Sequence, residues 1–229
     1  MNPALNALER LSMKTDAQLK SDVSNELDWD PAIHATNVGV AVQDGVVTLT
    51  GHLHTYAAKY AIERAVQRVE GVKAIAVELD VKLAATHKRS DPEIAAAAES
   101  AFKWHGMIPE ERVQVMVERG WVTLSGEVDW EYQRSSAYDV VRPLTGVVGV
   151  TNNMTLKARA MPAQIANRIR DALARQAERE AKNVEVIVSG ASVTLRGRVH
   201  SWTERAAVQG AAWSAPGVNR VVNELRVEG

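Results

Sequence analysis

The sequence predicts an α+β protein of three tandem αββαβ modules, each with a three-stranded mixed sheet and two helices packed on one face. Two repeated features carry this prediction. The segment 47–51, Val-Thr-Leu-Thr-Gly, recurs at 122–126 and 193–197 as Val-Thr-Leu-x-Gly. In each copy a Gly-Val pair begins 20 residues after the last glycine of this segment. The copies start 75 and 71 residues apart, longer than the ~20–50-residue units of solenoids, so each copy should be a small domain with its own core.

The module boundaries fall in the short segments that join the copies. Residues 1–12 form an N-terminal tail, and the modules span residues 13–84, 85–158 and 159–229. The connectors at 84–90 and 157–162 are short, which predicts little free motion between modules.

An amphipathic helix opens each module. In module 1 the triplet Thr15-Asp16-Ala17 is a helix-start signal. Apolar residues then recur every four positions and should face the core. Over the three copies these residues are Leu19, Val23, Leu27; Ile94, Ala98, Phe102; and Ile165, Ile169, Leu173.

A β-hairpin follows the helix. Valine alternates with other residues at 38–42, 113–117 and 184–188, which predicts a half-buried first strand. The turns Asp44-Gly45, Arg119-Gly120 and Ser189-Gly190 supply left-handed conformers, and the repeated Val-Thr-Leu segment is the returning strand. The third copy has one more residue between its turn glycine and Gly197, so we expect a bulge or a longer loop there.

A second helix and a last strand complete the module. Thr55, Asp129 and Ser201 are the predicted N-caps of the second helix, and the Gly-Val pair ends it. The helix then makes a right-handed crossover to a third strand, parallel to the second. Nine glycines have structural roles at turns and helix ends: Gly45, Gly51, Gly71, Gly120, Gly126, Gly146, Gly190, Gly197 and Gly217.

The unit resembles the BON domain, named after bacterial osmotically induced and nodulation-related proteins. The resemblance rests on the hairpin glycine, Val-Thr-Leu-x-Gly, Gly-Val, and the closing pattern Val-x-x-Val-x-Asn-x-Leu-x-Val at 218–227. It covers nearly the whole chain from about residue 13, three times over. The resemblance implies a non-enzymatic module that binds phospholipid surfaces or other envelope components, in proteins linked to osmotic or envelope stress and to transport.

The residues themselves indicate no catalytic centre, no metal site and no cofactor. The chain has no cysteine, which excludes disulfides and thiolate chemistry. His52 and His54 flank one residue and could share a metal. The position of His54 is Asp129 in copy two and His200 in copy three, which favours a helix-start residue instead. No Gly-rich phosphate loop, secretory signal or membrane-spanning apolar run is present, so the expected location is the cytoplasm or the membrane periphery.

Six tryptophans stand against one phenylalanine. Such amphipathic rings suit either the seams between modules or an exposed surface for a membrane or a partner. Trp29, Trp104, Trp121 and Trp130 are the predicted inter-repeat or interface aromatics. Trp202 and Trp213 belong to module 3, and we place them on the same candidate surface as its arginines.

Module 3 is also the cationic part of the chain, with 11 basic and 7 acidic residues. Residues 1–84 contain 8 basic and 11 acidic residues, and module 2 contains 8 and 10. Its candidate surface for anionic lipid or a partner includes the arginines Arg168, Arg175, Arg179, Arg196 and Arg198. Solvated helix and strand faces would carry the same arginines without a ligand. Nucleic acid is not an expected partner, because the pI is near 6.6 and no aromatic platform alternates with the basic residues.

The outward sheet faces carry small and apolar residues, so we expect the modules to dock through these faces and through the helix-end tryptophans. Three functions remain open: peripheral binding to anionic phospholipid, a scaffold for other proteins, and a sensor of small ions or ligands. The sequence leaves the oligomeric state open.

Overall fold

The computed structural model describes residues 14–31, 33, 37–157, 167, 169, 171 and 184–227. Module 1 contains α1 (Asp16–Trp29), β1 (Val38–Gln43), β2 (Val46–Leu53), α2 (Tyr56–Arg68) and β3 (Ala74–Val81). Module 2 contains α3 (Asp91–Trp104), β4 (Val113–Glu118), β5 (Trp121–Val128), α4 (Glu131–Val141), β6 (Gly149–Asn152) and β7 (Thr155–Leu156). Module 3 contains β8 (Val184–Ser189), β9 (Ser192–Val199), α5 (Trp202–Trp213) and β10 (Arg220–Val227).

Each module has a mixed sheet with the hairpin strand in the centre. In module 1 the order is β1-β2-β3, where β2 pairs antiparallel with β1 and parallel with β3. Module 3 repeats this order with β8, β9 and β10. In module 2 the last strand is broken into β6 and β7, which both pair with β5. The predicted α+β architecture of three tandem modules is confirmed.

Each module is stabilised by its own hydrophobic core, and the apolar residues predicted on the first helices belong to these cores. The exposed fraction is 2% or less at Leu19, Val23, Leu27, Ile94, Ala98, Phe102 and Ile169. Ile165 and Leu173 lie outside the described residues. The buried residues form three clusters, one in each module. Burying one such aliphatic side chain contributes roughly 1.5–3 kcal/mol.

An aspartate at the start of the first helix fixes the hairpin turn in modules 1 and 2. The Asp16 carboxylate accepts hydrogen bonds from the backbone N–H groups of Asp44 and Gly45, at 2.8 and 3.0 Å. Asp91 does the same for Arg119 and Gly120, at 2.8 Å each. Both turn residues have positive φ in these hairpins, as in a type I′ turn, and the carboxylate accepts from the backbone N–H of each.

The third hairpin corrects the expectation of a longer loop. Ser189 pairs with Ser192, so this turn also has two central residues, as in the other modules. Its glycine, Gly190, occupies the first central position with φ 55°, and Ala191 has no positive φ. This is the pattern of a type II′ turn. The glycine has moved by one position because the turn type has changed, and no residue is inserted.

The second-helix N-caps follow the prediction at two of three sites. The side chains of Thr55 and Ser201 accept from the backbone N–H three residues later. In module 2 the N-cap is Trp130, so the prediction of Asp129 was wrong by one position. Gln133 compensates there, because its side-chain oxygen accepts from the backbone N–H of both Asp129 and Trp130.

All nine glycines assigned to turns and helix ends have positive φ. The constraint is strongest at the last glycine of the repeated segment. At Gly126, φ is 130° and an added Cβ would lie 2.0 Å from the backbone oxygen of Arg112. Gly51 has the same φ and the same 2.0 Å conflict with the oxygen of Asn37. The repeated glycine therefore lets the start of the first strand approach the centre of the sheet.

We predict that Gly126→Ala lowers the free energy of unfolding by at least about 2 kcal/mol, because the methyl group must displace backbone and the φ is strained. Gly106→Ala is the matched control, since a Cβ there meets nothing within 4 Å. It should change stability by less than about 0.5 kcal/mol. Chemical denaturation of both variants measures the difference, and equal stabilities would contradict the assignment.

Candidate functional site

The second helices of the modules, α2, α4 and α5, make the contacts between modules. Between modules 1 and 2, the hydroxyl groups of Tyr56 and Tyr138 are hydrogen-bonded at 2.9 Å. The rings of Tyr60 and Tyr138 meet edge to face, with centroids 6.3 Å apart. The Arg142 guanidinium lies 3.5 Å from the centroid of the Tyr60 ring. The start of α2 thus rests on the end of α4 through aromatic and cation–π contacts.

Burial and the hydrogen bond with Tyr56 raise the pKa of the Tyr138 hydroxyl above its ordinary value. The Tyr138 phenol therefore stays neutral at physiological pH and contributes no charge to the seam. Tyr56 also packs against the core of module 2, although it belongs to module 1. A residue of one module thus completes the core of the next.

Modules 2 and 3 meet through Arg134 and Trp213. The Arg134 guanidinium lies 4.9 Å from the Trp213 ring centroid, and its Nη2 lies 2.7 Å from Glu131 Oε2. Trp213 packs against the cores of both module 2 and module 3. The start of α4 therefore rests on the end of α5, as α2 rests on α4.

The broken last strand of module 2 explains why the Arg134 side chain contacts module 3 and not the last strand of its own module. At the equivalent position, Lys59 donates to the Leu79 carbonyl of β3, and Arg205 donates to the Leu225 carbonyl of β10. In module 2 the strand is interrupted after Asn152, whose side-chain amide instead donates to the Arg134 carbonyl. The Arg134 side chain turns to Glu131 and Trp213.

Modules 3 and 1 meet through Trp202, the first residue of α5. Its indole packs against the core of module 1, and its Nε1 donates to the Val72 carbonyl at 2.9 Å. Val72 follows the end of α2. The start of α5 therefore rests on the end of α2, 130 residues earlier in the chain.

The three seams close a ring. The start of each second helix rests on the end of the second helix of another module: module 1 on 2, module 2 on 3, and module 3 on 1. Head-to-tail contacts of this kind form a closed ring when the rotation between units allows it. The predicted docking through the outward sheet faces was wrong. Met116 on that face is 61% exposed, and the seams described here belong to the helix side.

A cleft of about 1040 Å³ lies where the three second helices meet. Module 1 contributes Tyr60 and Arg64, and the other modules contribute the remaining walls. These are Trp130, Glu131, Tyr132, Ser135, Ala206, Gln209, Gly210, Trp213 and Ser214. Burial raises the pKa of the Glu131 carboxyl, and the neighbouring charge of Arg134 lowers it in part. The cleft is therefore aromatic, partly desolvated and shared by all modules.

The outward face of the module 3 sheet is cationic. Four exposed arginines share it: Arg196, Arg198, Arg220 and Arg226. Arg196 donates to Glu224 at 2.5 Å, and its pKa is raised by that hydrogen bond. Glu185 lies opposite Arg196 on β8. Arg198 and Arg226 are register partners on β9 and β10. Arg168, Arg175 and Arg179, predicted to join this surface, lie outside the described residues.

The equivalent register pair differs in every module. It is His52 and Asp80 in module 1, Glu127 and Thr155 in module 2, and Arg198 and Arg226 in module 3. The modules thus share one fold but present sheet faces of different charge. The sequence located the excess charge in module 3, and the structure shows which arginines lie together.

The tryptophans separate into exposed and packed groups. Trp29 and Trp104, at equivalent ends of the first helices, are 86% and 89% exposed, so they do not fill seams. The Trp121 indole donates to the Thr151 hydroxyl at 2.9 Å on the outward face of its own sheet. Trp130 lines the central cleft. Trp202 and Trp213 pack in seams, which removes them from the surface that we predicted for the arginines of module 3.

The described part of the chain contains neither a cluster of metal-binding side chains nor a membrane-spanning helix. His52 and His54 lie 6.2 Å apart, ring to ring, and no group of three or more His, Asp or Glu side chains there could hold a metal. No described helix combines the length and the hydrophobicity that crossing a bilayer requires.

We predict that Trp202→Ala lowers the free energy of unfolding by about 3 kcal/mol, because it leaves a cavity in the seam and an unpaired Val72 carbonyl. Trp202→Phe should cost about 1 kcal/mol, since it keeps most of the packing and loses the hydrogen bond. Trp29→Ala is the matched control and should change stability by less than about 0.5 kcal/mol, because its side chain is exposed. Urea denaturation measures all three, and a Trp202→Ala effect no larger than that of Trp29→Ala would contradict the seam.

Comparisons with known proteins agree with the repeat. Osmotically-inducible protein Y of Escherichia coli (strain K12) is 27% identical over 146 residues, which are 62% of this chain and 73% of that protein. Two solved structures of CdsD, a structural protein of the type III secretion system of Chlamydia trachomatis, are 15% identical. They cover 91% and 94% of this chain, and 91% and 100% of their own, with TM-scores of 0.25 and 0.26. The BON domain model matches residues 15–82, 90–158 and 163–229. The chain therefore belongs to the BON-domain family and contains three copies of the domain.

Proposed function

We propose that the protein is a non-enzymatic binding protein that contacts anionic phospholipid surfaces through the outward sheet face of module 3. The observation that carries this proposal is the arginine pair Arg198 and Arg226, side by side on that face. With Arg196, Arg220 and the two glutamates, the described residues of this face comprise four arginines and two glutamates. A basic residue near an anionic membrane is worth about 1 kcal/mol, so two excess charges give weak, salt-sensitive binding.

The exposed indoles of Trp29 and Trp104 support the same function, because such rings partition to the interface between lipid and water. Because both indoles are exposed, they bury little apolar surface and add little to the stability of the fold, which argues against a purely structural role. The similarity to a protein named as osmotically inducible supports a role under osmotic stress, when envelope surfaces change.

Charge reversal on the module 3 face tests the proposal. We expect the protein to co-sediment with vesicles containing phosphatidylglycerol, and to bind less at physiological salt, because salt screens exposed charges. Arg198→Glu with Arg226→Glu should weaken this binding by at least about tenfold, because two attractions become two repulsions. Arg196 is left unchanged in this test because it forms an ion pair with Glu224, and its reversal would also break that pair.

The matched control reverses two exposed lysines of module 1, Lys73→Glu with Lys82→Glu, and so changes the net charge equally. It should leave vesicle binding within about twofold of the original protein, because Debye screening limits the effect to nearby charges. Equal losses in both double variants would mean that net charge alone drives binding. Equal binding to phosphatidylcholine vesicles would overturn the proposal, and no binding to any vesicle would favour a protein scaffold.

A further inference from the structure

We propose that the central cleft is a binding site for a small organic anion with a planar apolar body, such as an aromatic carboxylate. This inference is independent of the lipid surface, because the cleft and the module 3 sheet face share no residue. The cleft volume of about 1040 Å³ is slightly above the range of ordinary ligand sites, which is roughly 300–1,000 Å³.

The walls of the cleft suit a planar ligand. Trp130 and Tyr132 come from module 2, Tyr60 from module 1 and Trp213 from module 3. Tyr60 and Trp213 each carry an arginine against the ring, whereas Tyr132 is 50% exposed. Aromatic side chains stack favourably on flat apolar molecules. Part of the aromatic surface in the walls is therefore not covered by contacts between modules.

The charges of the cleft favour an anion. Glu131 is paired with Arg134, so the one acidic side chain in the lining is already compensated. Arg64 also lines the cleft, and among the described residues its guanidinium has neither a hydrogen bond nor an ion pair. A guanidinium binds a carboxylate through two parallel hydrogen bonds. An arginine without an acidic partner, beside aromatic walls, therefore favours an anion with a planar apolar body.

Gly210 lines the cleft on the side that α5 forms. It lies inside α5, where glycine is less favourable than alanine. An added Cβ would meet nothing within 4 Å, so the protein's own packing does not require glycine there. The missing side chain keeps the wall of α5 open to a ligand.

The probe pair 1-naphthoate and 1-naphthamide tests the site, because the two molecules have the same rings and differ in charge. Titration calorimetry with the full chain should show one molecule of naphthoate bound per protein and at least about tenfold weaker binding of naphthamide. Arg64→Gln should weaken naphthoate binding by about tenfold and leave naphthamide unchanged, because only the charged hydrogen bonds are lost.

Gly210→Leu fills the cleft and should abolish binding of both probes. Its unfolding temperature should equal or exceed that of the original protein, because leucine is the better helix former, so a loss of binding cannot be assigned to unfolding. The matched control is Ala207→Leu, at an exposed position of the same helix outside the lining, and it should bind naphthoate normally.

Three outcomes would overturn the proposal: no naphthoate binding, equal affinity for both probes, or unchanged binding in Gly210→Leu. The Arg198→Glu with Arg226→Glu variant should bind naphthoate as the original protein does. Failure of the lipid surface and failure of the cleft are therefore distinguishable.

Discussion

The structure depends on one contact made three times: the start of a second helix resting on the end of another module's second helix. Trp202 against the carbonyl of Val72 is the contact that closes the ring, because it joins the last module to the first. Tyr56 and Trp202 occupy the same position in their modules, and each packs into a core that its own module does not form. A small module alone buries little apolar surface, which limits its stability. A side chain that packs into a neighbouring module's core increases the buried area of that module.

This arrangement decides which surfaces are left for binding. Because the helices face one another, the outward sheet faces stay open, and their charge differs from module to module at the equivalent register pair. The ring also creates a space that no single module contains, with walls from α2, α4 and α5. The fold thus offers two kinds of site: sheet faces that vary in charge, and a central cleft that exists only when the ring is closed. We expect these two to carry the protein's interactions.

Most of the fold could be predicted from the sequence. The alternating valines, the Val-Thr-Leu-x-Gly segment and the Gly-Val pair recur in each copy because each module needs the same strands, turn and helix end. The turn in module 3 could not, since the shift of Gly190 by one position has the same appearance as an insertion. The seams were also missed. Their signal lies in positions that differ between copies, such as Tyr56, Glu131 and Trp202, because core residues repeat whereas each seam has its own partner. Placing Trp202 on an exposed surface followed from treating the modules separately.

The closed ring is tested most directly by a distance between modules 1 and 3 in solution. The chain has no cysteine, so Lys73→Cys and Thr203→Cys place two spin labels at exposed residues next to Val72 and Trp202. Pulsed electron paramagnetic resonance should give one short, narrow distance distribution, because the Trp202 seam holds these residues together. A broad distribution extending to long distances would show three modules joined only by their connectors, and would contradict both the ring and the central cleft.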